Sequence, residues 1–296
     1  MGILAGVLSV AGAGTSPAQQ APSFRLGVMV EEPADPVRII GFYSDLLSQL
    51  RARLVPAGIQ VPDVVIAKDH DELSRLLREG EVDFVIETVF ASQLLRERSG
   101  NLEPALALVR DGQREYQSVF FTREDSDIER LEDLRGRTLV LEAPRSTSAF
   151  ALPQAELARN GIEIADADVT GPGDRVARYV LAGAELNQAV WVVHGRGDAA
   201  AFSNGDWEAL PSGVRDQLRI FHRTRKILRG LLSIRGDLEP RLRERCEALL
   251  LTLHEDPAGQ AAMSRARITR FERLTQRDRS ELDDWEAALR SLTFVP

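Results

Sequence analysis

Apolar residues along this chain alternate between two rhythms. Residues 26–30 form a continuous β-rich run that predicts a first strand, and Ile39, Tyr43, Leu46, Leu47, Leu50 and Leu54 then recur at helical spacing until Pro56-Ala57-Gly58. Residues 64–67 read as a short buried strand. Asp69 with Glu72 three positions on is a capping box that opens a helix stopping at Gly80, and residues 82–86 are the next strand. Strand, helix, strand, helix, strand predicts a largely parallel sheet with helices on its faces.

The second half continues with shorter elements. Residues 105–109 and 117–122 read as strands around Asp111-Gly112, residues 131–136 as a helical turn, and residues 138–141 as a buried strand. That strand runs into Pro144-Arg145-Ser146-Thr147-Ser148. A helix is expected to begin at about Ser148, because Pro153 is tolerated only near a helix start, and to end at Asn160-Gly161. Residues 179–181 are a strand candidate, and residues 186–194 a helix closed by Gly195. Residues 198–202 form a strand leading to a turn at Ser203-Asn204-Gly205-Asp206, and residues 218–222 and 231–235 form further strands. From Leu238 onward the pattern is helical throughout, over 238–254, 258–263 and 278–292.

Charge and composition narrow the function classes. The 296 residues carry 45 acids against 37 bases, a net charge of -8. That balance argues against nucleic acid as a partner, since phosphate-backbone binding wants a basic face. It leaves room for a small anion at a locally basic site. Lys68 and Lys226 are the only lysines, so any cationic site rests on arginine. Cys246 is the only cysteine, which excludes a disulfide within the chain and a cysteine-based metal site. Residues 2–14 are an apolar run followed by small polar residues, with Ala11-Gly12-Ala13 as a cleavage triplet. Residues 1–23 are therefore expected to be a signal peptide or a disordered leader. The usual positive start is missing, because the first charge is Arg25. The run is too short to span a bilayer, so no stable membrane insertion is expected.

The stretch from Thr138 to Ser148 carries the most chemistry. A helix start has backbone N–H groups without partners in the helix, and the dipole places partial positive charge there. Ser146, Thr147 and Ser148 add three hydroxyls, which together make an anion site that needs no lysine; the plain alternative is an ordinary N-cap. Glu87, with Thr88 beside it, ends a parallel strand, where ligands of open α/β sheets bind. Glu87 either meets a proton or amine of the ligand, or pairs with Arg145, Arg225 or Arg229. Ser203 and Asn204 either line the opposite wall or serve as turn residues. Arg225 and Arg229 either clamp an anion or lie on the surface.

Glu115-Tyr116-Gln117-Ser118-Val119-Phe120-Phe121, Asp125-Ser126-Asp127-Ile128, Leu131-Glu132-Asp133-Leu134-Arg135-Gly136-Arg137-Thr138-Leu139 and Ser146-Thr147-Ser148 with Pro153 and Leu157 occur in this order. The set resembles the phosphonate/phosphate-type substrate-binding proteins of ABC transporters. The likeness extends more weakly to Leu73 through Asp83 and to Trp191 through Asn204, with Gly195-Arg196-Gly197-Asp198-Ala199. It implies the type 2 periplasmic-binding-protein fold, with two α/β lobes, each a mostly parallel sheet flanked by helices, and ligand in the cleft. The chain would cross near Tyr116 and return near Thr224, giving one lobe from 24–116 plus 225–296 and another from 117–224. Ser146, Thr147 and Ser148 match the family's oxyanion-holding hydroxyls, and Tyr116 matches the tyrosine at the first crossing strand, a hinge more than a contact. The family's Gly-Pro and pocket tyrosine are replaced by Glu87-Thr88-Val89-Phe90-Ala91-Ser92, and its His-Asp by Gly173-Asp174. These departures put phosphonate itself in question.

Catalysis has little to build on. His70, His194, His222 and His254 are scattered with no metal-ligand spacing, Gly171-Pro172-Gly173 is a turn, and no Gly-x-Ser-x-Gly elbow occurs. The expectation is a periplasmic, monomeric solute-binding protein without cofactor or metal. It would capture a small anion for an ABC permease. The alternatives are a sensing component that reports to a kinase, or an enzyme on the same fold, between which fold alone does not decide.

Overall fold

The computed structural model describes residues 21–30, 35–168 and 175–290. Residues 1–20, including the apolar run of the leader, and the Gly171-Pro172-Gly173 and Gly173-Asp174 positions lie outside them. In chain order the first elements are β1 (Leu26–Met29), α1 (Pro36–Leu54), β2 (Val65–Ala67), α2 (His70–Arg78), β3 (Phe84–Glu87), α3 (Val89–Ser99), β4 (Leu102–Arg110) and β5 (Glu115–Tyr116). Then come β6 (Ser118–Arg123), β7 (Thr138–Leu141), α4 (Leu152–Arg159), β8 (Ile164–Asp166), β9 (Ala177–Leu181), α5 (Glu185–Val193), β10 (Ala199–Ser203), α6 (Asn204–Ala209), α7 (Ser212–Arg215) and β11 (Leu218–Arg223). The chain closes with β12 (Ile227–Leu228), β13 (Leu231–Arg235), α8 (Pro240–Thr252), α9 (Pro257–Arg265), β14 (Ile268–Arg273) and α10 (Gln276–Arg290).

The strands form two six-stranded sheets joined by a small antiparallel pair. One sheet has the order β14-β4-β13-β3-β1-β2, the other β11-β6-β10-β7-β9-β8, and β5 pairs with β12 between them. In the first lobe β2, β1 and β3 are parallel, while β13 runs against both β3 and β4. β3 and β4 therefore point the same way, and their C-terminal ends, Glu87 and Arg110, reach the same edge. In the second lobe β8, β9, β7 and β10 are parallel, so the chain leaves all four at one edge. Open parallel sheets bind ligands at that edge. The two lobes face one another across it.

Each lobe has its own core. In the first, Phe24 stacks on Phe84 at 4.0 Å, and α2 packs so closely on β1 that a Cβ at Gly27 would come within 2.8 Å of Leu73. Asp83 is fully buried there and is satisfied by Arg25 at 2.8 Å and Arg235 at 3.5 Å, as a buried carboxylate requires. In the second, Phe121 packs on Phe202 at 4.4 Å. A third apolar cluster belongs to both lobes: Val89 of α3 meets Leu152 and Ala155 of α4, with Leu282 and Trp285 of α10 packed against them. Arg159 and Arg225 lie over the Trp285 ring at 5.7 and 5.8 Å, a cation–π arrangement.

Several elements differ from the sequence expectation, among them three that bear on the cleft or its first lobe. The C-terminal region is not helical throughout, because β14 intervenes; Ile268 and Phe271 face the core there, and the strand pairs with β4. Helix α3 has no sequence signal, because almost its whole length is buried and it therefore lacks a polar face. The expected turn at Ser203-Asn204-Gly205-Asp206 is the start of α6, with Ser203 as N-cap. At α2, Asp69 accepts from the Glu72 N–H as predicted, but the Glu72 carboxylate takes the Lys68 N–H instead of closing the box on Asp69.

Candidate functional site

Two helix starts, one from each lobe, meet in the cleft. In the second lobe the chain leaves β7, turns through Pro144 and Arg145, and enters a helix capped by Ser146, two residues before the expected start. The Ser146 hydroxyl accepts the Ala149 N–H at 3.1 Å. The first turn is a wide π-turn over Thr147–Ala151, closed by the Ala151 N–H on the Ser146 carbonyl at 3.0 Å, and it leads into α4; such turns are frequent at functional sites. In the first lobe Thr88 caps α3, accepting from the Ala91 N–H at 3.4 Å. The Thr147 and Thr88 hydroxyls hydrogen-bond to each other at 2.8 Å across the cleft. Two dipole ends thus point at one place, each with N–H groups that its own helix leaves unused.

Tyr116 and Ser118 hold this junction in position. Ser118 donates to the Ser148 carbonyl at 2.7 Å. Thr147 and Ser148 lie beside the Tyr116 hydroxyl and favour its ionised form. Burial pushes the Tyr116 phenol up, opposed by the Arg229 guanidinium, which lies over the ring at 4.5 Å. β13 can pass here only because residue 230 is glycine: a Cβ would come within 3.0 Å of the Glu87 carbonyl.

The cleft around these groups has a volume of about 360 Å³. Glu87, Thr88, Arg110, Tyr116, Arg229 and Arg267 line it from the first lobe and the crossing strands. Glu142, Arg145, Ser146, Thr147, Ser148, Glu185 and Asp206 line it from the second. The three second-lobe carboxylates each stand just past a parallel strand: β7, β9 and β10. Burial, with Glu185 and Asp206 adding, raises the Glu142 carboxyl against the opposing Ser146 hydroxyl and Arg145. Behind the first-lobe wall the Tyr43 phenol is pushed up to about 12 by burial, with Glu87 adding and Arg110 opposing.

Of the residues singled out from sequence, Glu87, Thr88, Tyr116, Arg145, Ser146, Thr147, Ser148 and Arg229 share this cleft. The other three are employed elsewhere. Ser203 hydrogen-bonds to the Asp206 carboxylate at 2.5 Å, Asn204 accepts the Gln117 N–H at 3.1 Å through its side-chain oxygen, and Arg225 lies over Trp285. Sequence reasoning missed Arg110, Glu142, Glu185, Asp206 and Arg267. One signal pointed to Asp206: a serine with an acid three residues later, at a strand end, is a helix-start pattern. No helix among the described residues is long and apolar enough to cross a membrane.

Solved structures show the same architecture. XAC2383 from Xanthomonas citri, in structures bound to chloride ion and to ATP, superposes with a TM-score of 0.81 at 33% identity. The ATP-bound structure covers 91% of this chain and 98% of its own. The binding-protein component of an ABC phosphonate transporter from Pseudomonas aeruginosa shares the fold at 18% identity and a TM-score of 0.62, over 91% of this chain and 87% of its own. PhnD1 from Prochlorococcus marinus, in complex with methylphosphonate, shares it at 15% identity and a TM-score of 0.61, over 91% and 99%. The fold is that of the type 2 periplasmic binding proteins. Residues 32–278 match the family model described as ABC transporter, phosphonate, periplasmic substrate-binding protein, and the chain belongs to that family.

Proposed function

We propose that this protein captures a small tetrahedral oxyanion of the phosphonate, phosphate or phosphite type between its lobes and delivers it to the permease of an ABC transporter. The observation that carries this reading is the meeting of two capped helix starts at Thr88 and Thr147, with Ser146 and Ser148 beside them. Hydroxyls pivot to suit a tetrahedral acceptor, and backbone N–H groups supply directed donors without a titrating charge. The ligands of XAC2383, chloride and ATP, are both anionic, which agrees with such a site. The family is one of transport binding proteins rather than enzymes.

The same reading assigns residues 24–116 with 225–296 to one lobe and residues 117–224 to the other, hinged at β5 and β12. Residues 1–23 act as the export signal, so mass spectrometry of the exported protein should find a new N-terminus between Gly12 and Ser23. An intact Met1 on a cytoplasmic protein would contradict export.

A thermal-shift screen over phosphate, phosphite, phosphonates, sulfonates and carboxylates tests the ligand class. A true ligand at a hundredfold over its Kd stabilises by about 2.7 kcal/mol. A flat response to every oxyanion would sink the reading.

A further inference from the structure

Two arginines in the cleft stand apart from the rest. Arg114 and Arg267 are each held by carboxylates, at 2.6 and 2.5 Å. Arg110 ends β4 in the cleft wall, and its Nε is buried with no hydrogen-bond partner. Arg229 is half-buried over the Tyr116 ring. Among the described residues neither Arg110 nor Arg229 forms an ion pair. Removing a guanidinium from water costs free energy unless an opposite charge meets it, and its planar fork fits carboxylate or phosphate with two parallel hydrogen bonds. Tyr116 links this pair to the helix starts: its ring carries Arg229, and Thr147 and Ser148 lie beside its hydroxyl. The cleft of about 360 Å³ also has room for more than one tetrahedral oxyanion, being of the size that holds organic ligands.

We infer that Arg110 and Arg229 form a second anion subsite, so that the preferred ligand carries two anionic groups on a short spacer. A phosphonate or phosphate would sit at Ser146, Thr147 and Ser148, and a carboxylate or second phosphoryl group at the arginines. The inference rests on the oxyanion reading above and narrows it. The acids across the cleft, Glu142, Glu185 and Asp206, lie on the second lobe, whereas the unpaired guanidinium groups lie on the first lobe and the return crossing. Glu87 is a carboxylate on their own wall, and Arg145 an arginine on the opposite one.

Methylphosphonate and phosphonoacetate differ by one carboxylate and make a matched pair for calorimetry. Phosphonoacetate is expected to bind the wild-type protein at least about tenfold more tightly, the value of one charge-assisted fork. Arg110→Gln and Arg229→Gln, made separately and checked by melting curves, should each bring that affinity ratio down toward one. Thr147→Ala should weaken both probes and leave the ratio in place. Equal affinities in the wild-type protein, or a ratio that survives both arginine variants, overturns the second subsite while the helix-start site stands. Failure of both probes to bind the wild-type protein overturns both readings together.

Discussion

The first lobe meets the cleft with strand ends, the Thr88 helix start and two guanidinium groups that form no ion pair among the described residues. The second lobe meets it with a hydroxyl-rich helix start and three carboxylates placed past the ends of β7, β9 and β10. Recognition through a helix start uses fixed dipoles and neutral hydroxyls, which do not titrate. Recognition through arginine is charged, weakens with ionic strength where exposed, and gains from burial. On the proposed function, one cleft would combine a wall that reads the geometry of an oxyanion with a wall that reads its charge.

The largest way to break the comparison lies outside the cleft. Arg114 holds Asp278, whose side chain is 3% exposed, through two hydrogen bonds of 2.9 and 2.6 Å. Burial raises the Asp278 carboxyl, but Arg114 and Thr275 outweigh it and hold the group down at about 2. Arg114→Met leaves a buried carboxylate unpaired and should cost about 3–5 kcal/mol at neutral pH, read by urea denaturation. Because the folded-state value lies below the ordinary one, this contribution is complete above pH 3.8 and is lost as pH falls through about 2. The gap between variant and wild type should close over that window.

The next largest effect bears on the second lobe. Replacing Thr147 and Ser148 together by alanine removes two donors to a charged acceptor and should weaken oxyanion binding by about a hundredfold. Unchanged affinity in calorimetry would end the helix-start reading. A smaller effect follows from Glu142, whose folded-state value is raised by burial and its acidic neighbours. Its ionisation opposes folding, so Glu142→Gln should melt higher than wild type at neutral pH, with the advantage vanishing as pH drops below the ordinary glutamate value of 4.5. The smallest effect is at Glu87. Glu87→Gln should leave methylphosphonate binding unchanged or tighten it by about threefold, since one like charge in a solvated cleft is removed. It should weaken a ligand that carries an ammonium group beside its oxyanion, and calorimetry on both sorts the two.

What the sequence revealed followed from how local each signal was. Ser146, Thr147 and Ser148 were legible because a buried strand, a proline turn and three hydroxyls are adjacent in the chain. Tyr116 was legible only through the resemblance, which matches it to the family's tyrosine at the first crossing strand. Arg110 was not, because its role depends on β13 inserting between β3 and β4 from 120 residues downstream, as Leu231↔Glu87 and Leu231↔Ala107 show. Asp206 was hidden inside what looked like a plain turn. Ser203 and Asn204 end a strand at the right edge, and there Ser203 serves as a cap while the Asn204 side-chain oxygen takes the Gln117 N–H of the crossing segment. Helix α3 left no trace, since periodicity reports a helix only when one face is wet.

If the lobes move as the proposed function requires, the apolar cluster that joins them would act as a fulcrum beside the Thr88–Thr147 junction. Val89 directly follows Thr88, and Leu152 lies five residues beyond Thr147 on the same helix; both are packed into that cluster with Trp285. Any rotation of one lobe against the other swings distant residues through the longest arcs and the Thr88–Thr147 junction through the shortest. The oxyanion half of the site would then stay assembled throughout a swing. On the proposed function, capture would then become a sequence in time, with the anion seated first and the rest of the ligand gripped as the arms come together. Spin labels placed near this fulcrum and far from it should report small and large distance changes respectively when ligand is added.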